Sequence, residues 1–333
     1  MTKVMLLKTW LSNIGNGFID KGSHACINEA LNDPQIVEVS GYPNFVGHYL
    51  NLSWKNKLLE RKNKFELEQL NSINVADFVD DVDIAIISGC ILDWSIVKYV
   101  PTIKKIRDRG IPLVLLGAGG SDYTIDTQNL IKKVINILKP SALFTRDSNA
   151  YALYSKYFNR SYNGIDSGFY ISDWYLPPKS TKQFIVAAFD SSKEPRISTN
   201  FTILRAYHEP FYYSYAYNKV LRICIDLAKE IFNLNLCDIS HKKNILISDC
   251  IEDYLFLYYN ATEVYSDRVH ACVAALSYGN KARLYSNTPR SALFDRVLNT
   301  DINKELSSLP REKIYEEKTN QASILKEVIQ DII

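Results

Sequence analysis

The chain has 333 residues, too many for one compact core, and suits two domains of roughly 150–170 residues each. Hydrophobic residues make up 47% of the chain and charged residues 23%, a normal globular mix that argues against disorder. The 39 Lys and Arg against 37 Asp and Glu leave a net charge of +2, which gives no reason to expect nucleic acid as a partner.

Short apolar runs alternate with helical patterns through the first half of the chain. The runs predict strands at Val4–Thr9, Ile36–Ser40, Ile84–Ser88, Leu113–Gly117 and Ala142–Thr145. A Gly, Asn, Asp or Ser follows each run, and most are then followed by a helical pattern, which indicates stacked βα units and a parallel sheet. The polar stretch between Asn44 and Asn74 carries apolar residues at helical spacing and predicts an inserted surface helix.

The segment DWYLPPKSTKQ, Asp173–Gln183, has two prolines and predicts a linker between domains of residues 1–176 and 177–333. Beyond it the alternation resumes. The predicted strands are Phe184–Phe189, Ile245–Ser248, Glu263–Tyr265 and Ala282–Tyr285, and the predicted helices are Asn218–Phe232, Glu252–Tyr259 and Arg268–Tyr278. The expected fold is α/β, with two Rossmann-like domains facing across a cleft and ligands bound outside the carboxyl ends of the strands.

The N-terminal segment MTKVMLLKTWLSNIGNG lacks the long apolar region of a signal peptide and predicts a first strand. No stretch approaches the roughly 18 apolar residues of a membrane span. The six cysteines form no CxxC pair and show no zinc-like spacing, so we expect free and mostly buried thiols in a reducing compartment. The sequence therefore predicts a cytoplasmic protein without a transmembrane segment, cofactor or metal, and leaves a homo-oligomer open.

The segment YSDRVHACVAALSYGN places charged residues at the start of an apolar helix. One face of that helix has helical spacing and is predicted to be buried; it carries Val269, Cys272, Val273 and Leu276. Asp267 or Ser266 is expected to cap the first turn. Arg268 and His270 are expected at the exposed start, where free N–H groups and the helix dipole favour an anion and a neutral imidazole able to act as a base. The alternative is a surface Asp267–Arg268 pair with His270 as a packing residue.

Two further arginines follow predicted strands. Arg290, in NTPRSALFDRV, comes after the strand next to the one that leads to His270, so the two side chains are expected to lie close together. Arg146, in LFTRDSNAYALYSKYF, occupies the same kind of position in the first half and precedes Asp147. Solvated arginines and a capping aspartate are the alternative. Together these residues predict a clamp for a phosphate or carboxylate, built from both domains.

Three glycine-containing loops also follow predicted strands, in NIGNG, ISGCILDW and VLLGAGGSDY. Their candidate substrate-binding residues are Asn13, Gly15, Asn16, Gly89, Gly117 and Gly119. Such glycines either allow the backbone to approach a ligand or simply make a turn. None of the loops completes the GxGxxG pattern of dinucleotide-binding proteins, which disfavours a nicotinamide-dependent oxidoreductase.

In their order and over nearly the whole chain, these segments resemble the polysaccharide pyruvyltransferase family. The Arg-x-His sequence that opens the helix at Arg268 is the most specific feature, whereas the glycine loops are generic. The matching segments are NIGNGFID, ISGCILD, LLGAGGS, TRDSNAYALYSKYF, GIDSGFYISD and YSDRVHACVAALSYGNKARLY. The resemblance implies two facing Rossmann-like domains of the GT-B type.

The resemblance also implies an activity. Such enzymes transfer the enolpyruvyl carbons of phosphoenolpyruvate onto two hydroxyls of a sugar, in a glycan or lipid-linked acceptor, forming a ketal and releasing phosphate. It implies that Arg146 and Arg268 hold the anionic groups of the donor, that His270 is the general acid and base, and that Asp166 contributes to substrate binding. Arg290 stands nearest to where family members carry a lysine, and an arginine does not readily lose a proton.

Two other functions stay open on the sequence. One is a GT-B-like glycosyltransferase that uses a nucleotide sugar, with the arginines facing a diphosphate. The other is a sugar-binding or anion-binding protein without turnover. Release of phosphate or of nucleotide distinguishes the two enzymes, and the need for His270 in turnover distinguishes an enzyme from a binding protein.

Overall fold

The computed structural model describes residues 1–9, 13–42, 73–208 and 242–333. The chain divides into two compact units, each made of separate stretches of sequence. The first unit comprises the described residues of Met1–Trp10, Ile27–Gly164 and Ala322–Ile333, and the second those of Leu11–Cys26 and Ile165–Gln321. Among the residues described, no helix is long and apolar enough to cross a membrane.

A six-stranded parallel sheet, in the order β2-β1-β3-β4-β5-β6, forms the centre of the first unit. Its strands are β1 Lys3–Lys8, β2 Gln35–Ser40, β3 Ile84–Ser88, β4 Leu113–Ala118, β5 Ala142–Thr145 and β6 Ser161–Asn163. The helices between them are α1 Ile14–Ala30, α2 Ile96–Asp108, α3 Ile125–Leu138 and α4 Ser148–Tyr154. Strands β3, β4 and β5 are buried along their full length, as expected for parallel strands covered on both faces.

The second unit has its own five-stranded parallel sheet, in the order β11-β10-β7-β8-β9. Its strands are β7 Phe184–Ala188, β8 Thr202–Ala206, β9 Ile245–Leu246, β10 Glu263–Ser266 and β11 Lys281–Leu284. The helices among its described residues are α5 Ile171–Trp174, α6 Ile251–Asn260, α7 Val269–Ser277 and α8 Arg311–Ile332. The unit also takes in most of α1 and a 3₁₀ turn at Ser167–Tyr170.

Helix α7 is buried on all sides, from Val269 to Leu276. The predicted apolar face is therefore buried as expected, and the opposite face is buried as well. It packs against β10, β11, α6 and the 3₁₀ turn, which is typical of a helix that is hydrophobic all round. The expectation that Arg268 and His270 stand at an exposed helix start is wrong, because only 14% and 9% of their side-chain surfaces are exposed.

The predicted strands agree with the structure to within one or two residues at each end, and β3 and β5 agree at both ends. The structure adds β6, β8 and α8, which the sequence did not predict. The predicted helix at Asn218–Phe232 lies outside the described residues. The predicted surface helix between Asn44 and Asn74 also lies outside them, apart from its last two positions.

The division between the units differs from the predicted boundary at 176/177, since the second unit begins at Ile165 and includes Leu11–Cys26. The proline-containing segment is bound to the second unit instead of linking two domains. The Asn260 side chain donates to Pro178 O at 3.0 Å and accepts from Ser180 N at 2.7 Å. These hydrogen bonds hold the segment against α6, although its two prolines had predicted a linker between domains.

Candidate active site

The turn between β10 and α7 is fixed to the neighbouring strand β7 by one serine. The Ser266 hydroxyl donates to Ala188 O at 2.8 Å and accepts from Arg268 N at 2.8 Å. Arg268 is the N-cap residue of α7, and its side chain makes no capping hydrogen bond. The prediction that Ser266 or Asp267 caps the first turn is therefore wrong, because Ser266 holds the turn that precedes the helix.

Asp267 organises the loop after β7. Its carboxylate accepts hydrogen bonds from the backbone N–H groups of Asp190, Ser191 and Ser192, at 3.2, 2.8 and 2.7 Å. The Ser192 hydroxyl donates to it as well, at 3.0 Å. Four donors therefore compensate this buried charge, and Asp267 acts within the fold of the loop.

Arg268 is paired with Asp190, which follows β7. Arg268 Nε donates to Asp190 Oδ2 at 2.6 Å and lies 3.9 Å from Asp267 Oδ1. The Asp190 carboxylate also accepts the backbone N–H of His208, at 3.1 and 3.3 Å from its two oxygens. The alternative of a surface Asp267–Arg268 pair is wrong, because the pair is largely buried and the main partner is Asp190.

His270, in the first turn of α7, contacts a buried carboxylate. Its Nε2 lies 3.3 Å from Asp166 Oδ2, and the other Asp166 oxygen accepts Gly168 N at 2.8 Å. Asp166 is fully buried. A carboxylate in this position orients the imidazole ring. Asp166 thus holds His270, and its predicted role in substrate binding stays a prediction.

The start of α1 packs directly against His270. A Cβ atom on Gly15 would lie 3.0 Å from His270 Cβ and 3.1 Å from Asn13 Oδ1. Asn13 Oδ1 accepts Gly15 N at 2.9 Å, and Asn16 N donates to Asn13 O at 2.9 Å. The structure thus brings Asn13 and Gly15 to His270, and Gly15 is needed there for close approach.

His208, at the end of β8, is a site residue that the sequence did not reveal. It is fully buried, its Nε2 lies 2.5 Å from the Tyr258 hydroxyl, and its ring meets those of Phe18 and Tyr254 edge-on. Burial first, and then the nearby charges of Arg268 and His270, lower the pKa of His208 well below its ordinary value. The ring is therefore neutral. No sequence signal pointed to it, because β8 was not predicted.

Arg290 lies on a 3₁₀ helix at Pro289–Phe294, which Thr288 caps by accepting Arg290 N at 3.3 Å. This helix follows β11, which pairs in parallel with β10, and Tyr285 N donates to Ser266 O at 2.7 Å. The predicted adjacency of the two strand ends is therefore confirmed. A contact between Arg290 and His270 stays a prediction.

Arg146 belongs to a cluster in the first unit. It follows β5, is 1% exposed, and donates its backbone N–H to Ala118 O at 3.1 Å. A Cβ atom on Gly119 would lie 2.3 Å from Arg146 Nε, so only glycine leaves room for this side chain. The alternative of a solvated Arg146 is wrong, since the side chain is buried. Its convergence with Arg268 and His270 stays a prediction.

Asp147 caps α4, as one interpretation of the sequence held. It accepts Ala150 N at 2.8 Å and also the Tyr123 hydroxyl at 2.7 Å. Burial and the Asp147 charge raise the pKa of Tyr123. The phenol is therefore un-ionised and serves as the donor.

Gly89 and Gly117 follow β3 and β4 in left-handed backbone conformations, with φ of 92° and 58°. Gly119 N donates to Gly89 O at 3.0 Å, which joins the two loops. These two glycines are explained by the turns they make. Gly119 is explained by close approach to Arg146.

A protein-family model matches most of the chain. The model of the polysaccharide pyruvyl transferase family matches residues 20–288. The chain belongs to this family. It is therefore an enzyme of the transferase class, and the resemblance seen in the sequence is confirmed. No curated protein matches the chain in sequence.

Solved structures show the same fold at low sequence identity. The S. aureus MnaA–UDP co-structure has 13% identity to this chain and a TM-score of 0.50, covering 98% of this chain and 91% of that one. A UDP-N-acetylglucosamine 2-epimerase from Rickettsia bellii has 15% identity and a TM-score of 0.48, covering 100% and 96%. The first likeness and the two parallel sheets confirm the predicted fold class, with two Rossmann-like units of the GT-B-like type.

Proposed function

We propose that the enzyme transfers the pyruvyl group of phosphoenolpyruvate onto a sugar of a polysaccharide or glycan precursor. The observation that carries this proposal is the buried pair of His270 and Asp166 beside Arg268, in a chain that belongs to the pyruvyl transferase family. The pair supplies a proton-transfer group with a fixed orientation. The arginine supplies a cation for an anionic donor.

The reaction requires balanced proton transfers. C3 of the enol phosphate gains a proton, and C2 forms bonds to two sugar hydroxyl oxygens, each of which loses its proton. The bond between C2 and the phosphate oxygen breaks, and phosphate leaves with the electron pair and takes up the second of the two hydroxyl protons. His270 is proposed to deliver the proton to C3 and to accept one from a hydroxyl, while Asp166 stabilises the imidazolium between these steps.

The charges near His270 bear on donor binding. Asp166, Asp190 and Asp267 are carboxylates, and Arg268 is the cation paired with one of them. Hydrogen bonds from four donors compensate Asp267. An anionic donor still requires more positive potential than Arg268 alone provides.

We propose two further sources of that potential. One is the N-terminal ends of α1 and α7, because Gly15 in α1 contacts the side chain of His270 in α7. The other is the pair of arginines Arg290 and Arg146. Both follow strands at the carboxyl ends of their sheets, where ligands of α/β proteins bind.

The acceptor is proposed to be a glycan or a lipid-linked sugar, as the family suggests. We also propose a cytoplasmic site of action. The four described cysteines, Cys26, Cys90, Cys250 and Cys272, form no disulfide with one another, which fits a reducing compartment.

Ligand-dependent stabilisation tests the donor. Phosphoenolpyruvate at about 100 times its dissociation constant is expected to add roughly 2.7 kcal/mol to the free energy of unfolding. Nucleotide sugars are the comparison. Stabilisation by a nucleotide sugar and none by phosphoenolpyruvate would overturn the proposal in favour of a glycosyltransferase.

Turnover is then measured as phosphate released from phosphoenolpyruvate in the presence of glycan acceptors, with the ketal detected by NMR. His24→Ala, in α1, is a matched control for variants of His270. Binding of phosphoenolpyruvate without phosphate release from any acceptor tested would favour the non-catalytic binding protein.

A further inference from the structure

Asp190 is buried behind Arg268 and held in place from two sides. Its side chain is 3% exposed, and Oδ2 lies 2.6 Å from Arg268 Nε. The carboxylate accepts the backbone N–H of His208, at the end of β8. The backbone N–H of Asp190 itself donates to Asp267 at 3.2 Å. The position of the carboxylate is thus set by the backbones of β7 and β8.

A carboxylate fixed at Nε determines how a guanidinium points. The guanidinium is planar, with its N–H donors in a rigid fork. Once Nε is bound, rotation about the last side-chain bonds is restricted and the plane of the fork is set. Part of the rotamer entropy of the free arginine side chain is therefore removed before any ligand arrives.

We infer that Asp190 is a positioning residue, which orients Arg268 so that the two Nη groups face the phosphate or carboxylate of the donor. The inference deepens the proposed function and rests on it. Asp190 acts through Arg268 and does not touch the substrate. The Asp190 carboxylate lowers the net positive charge near the donor, but it fixes the direction in which the Arg268 guanidinium points.

Asp267 provides a contrast within the same site. Its side chain is also 3% exposed, but its oxygen lies 3.9 Å from Arg268 Nε. Its hydrogen bonds go to the loop of residues 190–192. Asp267 therefore stabilises the loop. Because this loop includes Asp190, the removal of Asp267 is expected to disturb Asp190 as well.

A double-mutant cycle tests the inference. Asp190→Asn should lower kcat/KM for phosphoenolpyruvate by about 10–100-fold, mainly through KM for the donor, with less than about a twofold change in KM for the acceptor. In the Arg268→Lys background the same substitution should cost less than about twofold, because a lysine presents no fork to orient. Asp253→Asn, at an exposed carboxylate of α6, is the control and should change the donor KM by less than about twofold in both backgrounds. An equal cost of Asp190→Asn in both backgrounds would overturn the inference.

A conservative variant distinguishes a positioning role of Asp190 from a general loss of structure. Asp190→Glu keeps the charge but moves the carboxylate by one methylene, so it is expected to raise the donor KM and leave the acceptor KM unchanged. If Asp190→Glu had the same KM for the donor as the unmodified enzyme, a positioning role would be contradicted. Circular dichroism and thermal unfolding establish that each variant is folded.

The same variants separate this inference from the proposed function. If the unmodified enzyme does not turn over phosphoenolpyruvate, the proposed function fails. Calorimetric binding of inorganic phosphate to the four proteins of the cycle still decides the role of Asp190. Loss of phosphate affinity in Asp190→Asn only when residue 268 is arginine supports the inference, and equal affinity in all four proteins overturns it.

Discussion

At the residue scale, the site in the second unit consists of charged groups that are buried and held by named partners. His270 contacts Asp166, Arg268 contacts Asp190, and each carboxylate has a further backbone donor. Burial of a charged group costs free energy unless the group is paired or hydrogen-bonded. Their presence in one place is therefore better explained by chemistry than by stability.

His270→Ala should lower turnover by roughly 10²–10⁴-fold, the usual contribution of a positioned proton-transfer group. Donor affinity should fall much less, since the arginines contribute most of the charge complementarity. Steady-state kinetics and donor binding by calorimetry measure the two effects. Near-normal turnover in a folded His270→Ala protein would make His270 a packing residue. His24→Ala should leave both quantities unchanged.

His208 should make stability depend on pH. Above about pH 6.5 its ring is neutral in both the folded and the unfolded chain. Because burial lowers the pKa of His208 well below this value in the folded protein, only the unfolded chain gains the proton as the pH falls further. The free energy of unfolding should therefore fall below about pH 6.5, with a slope from this residue that approaches one proton.

Denaturant unfolding between about pH 5 and pH 8 measures this slope. His208→Gln has no ring to protonate and should lose that part of the pH dependence, while His24→Gln should keep it. Equal slopes for the His208→Gln and unmodified proteins would show that His208 is protonated in the folded state.

The sequence indicated Arg268 and His270 as site residues because both lie within the four residues Asp267–His270, at the start of an apolar helix. It did not indicate Asp190 as a partner of Arg268, because 78 residues separate them and only the order of strands β10, β7 and β8 brings them together. Long-range pairing of this kind depends on topology and leaves no local pattern.

At the element scale, α1 is the helix whose packing defines the site. Gly22 lies against the 3₁₀ turn that carries Asp166 at its start, and Phe18 meets the rings of His208 and Tyr258 edge-on. Ile14 N donates to His208 O at 2.8 Å. The helix thus contacts both the turn that carries Asp166 and the end of β8 that carries His208.

Gly22→Ala should destabilise the protein by about 3 kcal/mol, the upper part of the usual range for overpacking a core. The added Cβ would lie 2.0 Å from Ser167 O, a backbone atom that cannot move aside without shifting the turn. Denaturant unfolding measures the change, and Asn28→Ala, at an exposed position of the same helix, is the control. A loss below about 0.5 kcal/mol would mean that the turn adapts.

The elements found from the sequence are those with continuous apolar runs. Strands β3, β4 and β5 are buried throughout and read as uninterrupted apolar segments. Strands β6 and β8 are only partly buried, and their sequences SYN and TILRA carry no strong period. They are strands because neighbouring strands pair with them, which a local pattern does not record.

At the scale of the whole molecule, neither compact unit is a continuous piece of chain. The first helix belongs mostly to the second unit, and the last helix, α8, ends in the first. A division of the sequence at a proline-rich segment assumes that domains follow one another along the chain. That assumption failed here because the contacts of α1 join residues more than 140 positions apart, as for Gly22 and Ser167.

A fragment of residues 177–333, the second domain as predicted from the sequence, should therefore not fold cooperatively. It lacks α1 and the Ser167–Tyr170 turn, whose buried side chains include Phe18, Phe169 and Tyr170. Burial of each contributes about 1.5–3 kcal/mol, and together they approach the roughly 5–15 kcal/mol by which a whole domain is stable. Thermal unfolding followed by near-ultraviolet circular dichroism measures cooperativity. Co-expression with residues 1–176 should restore the transition, whereas a sharp transition in the fragment alone would show that α1 is dispensable for its core.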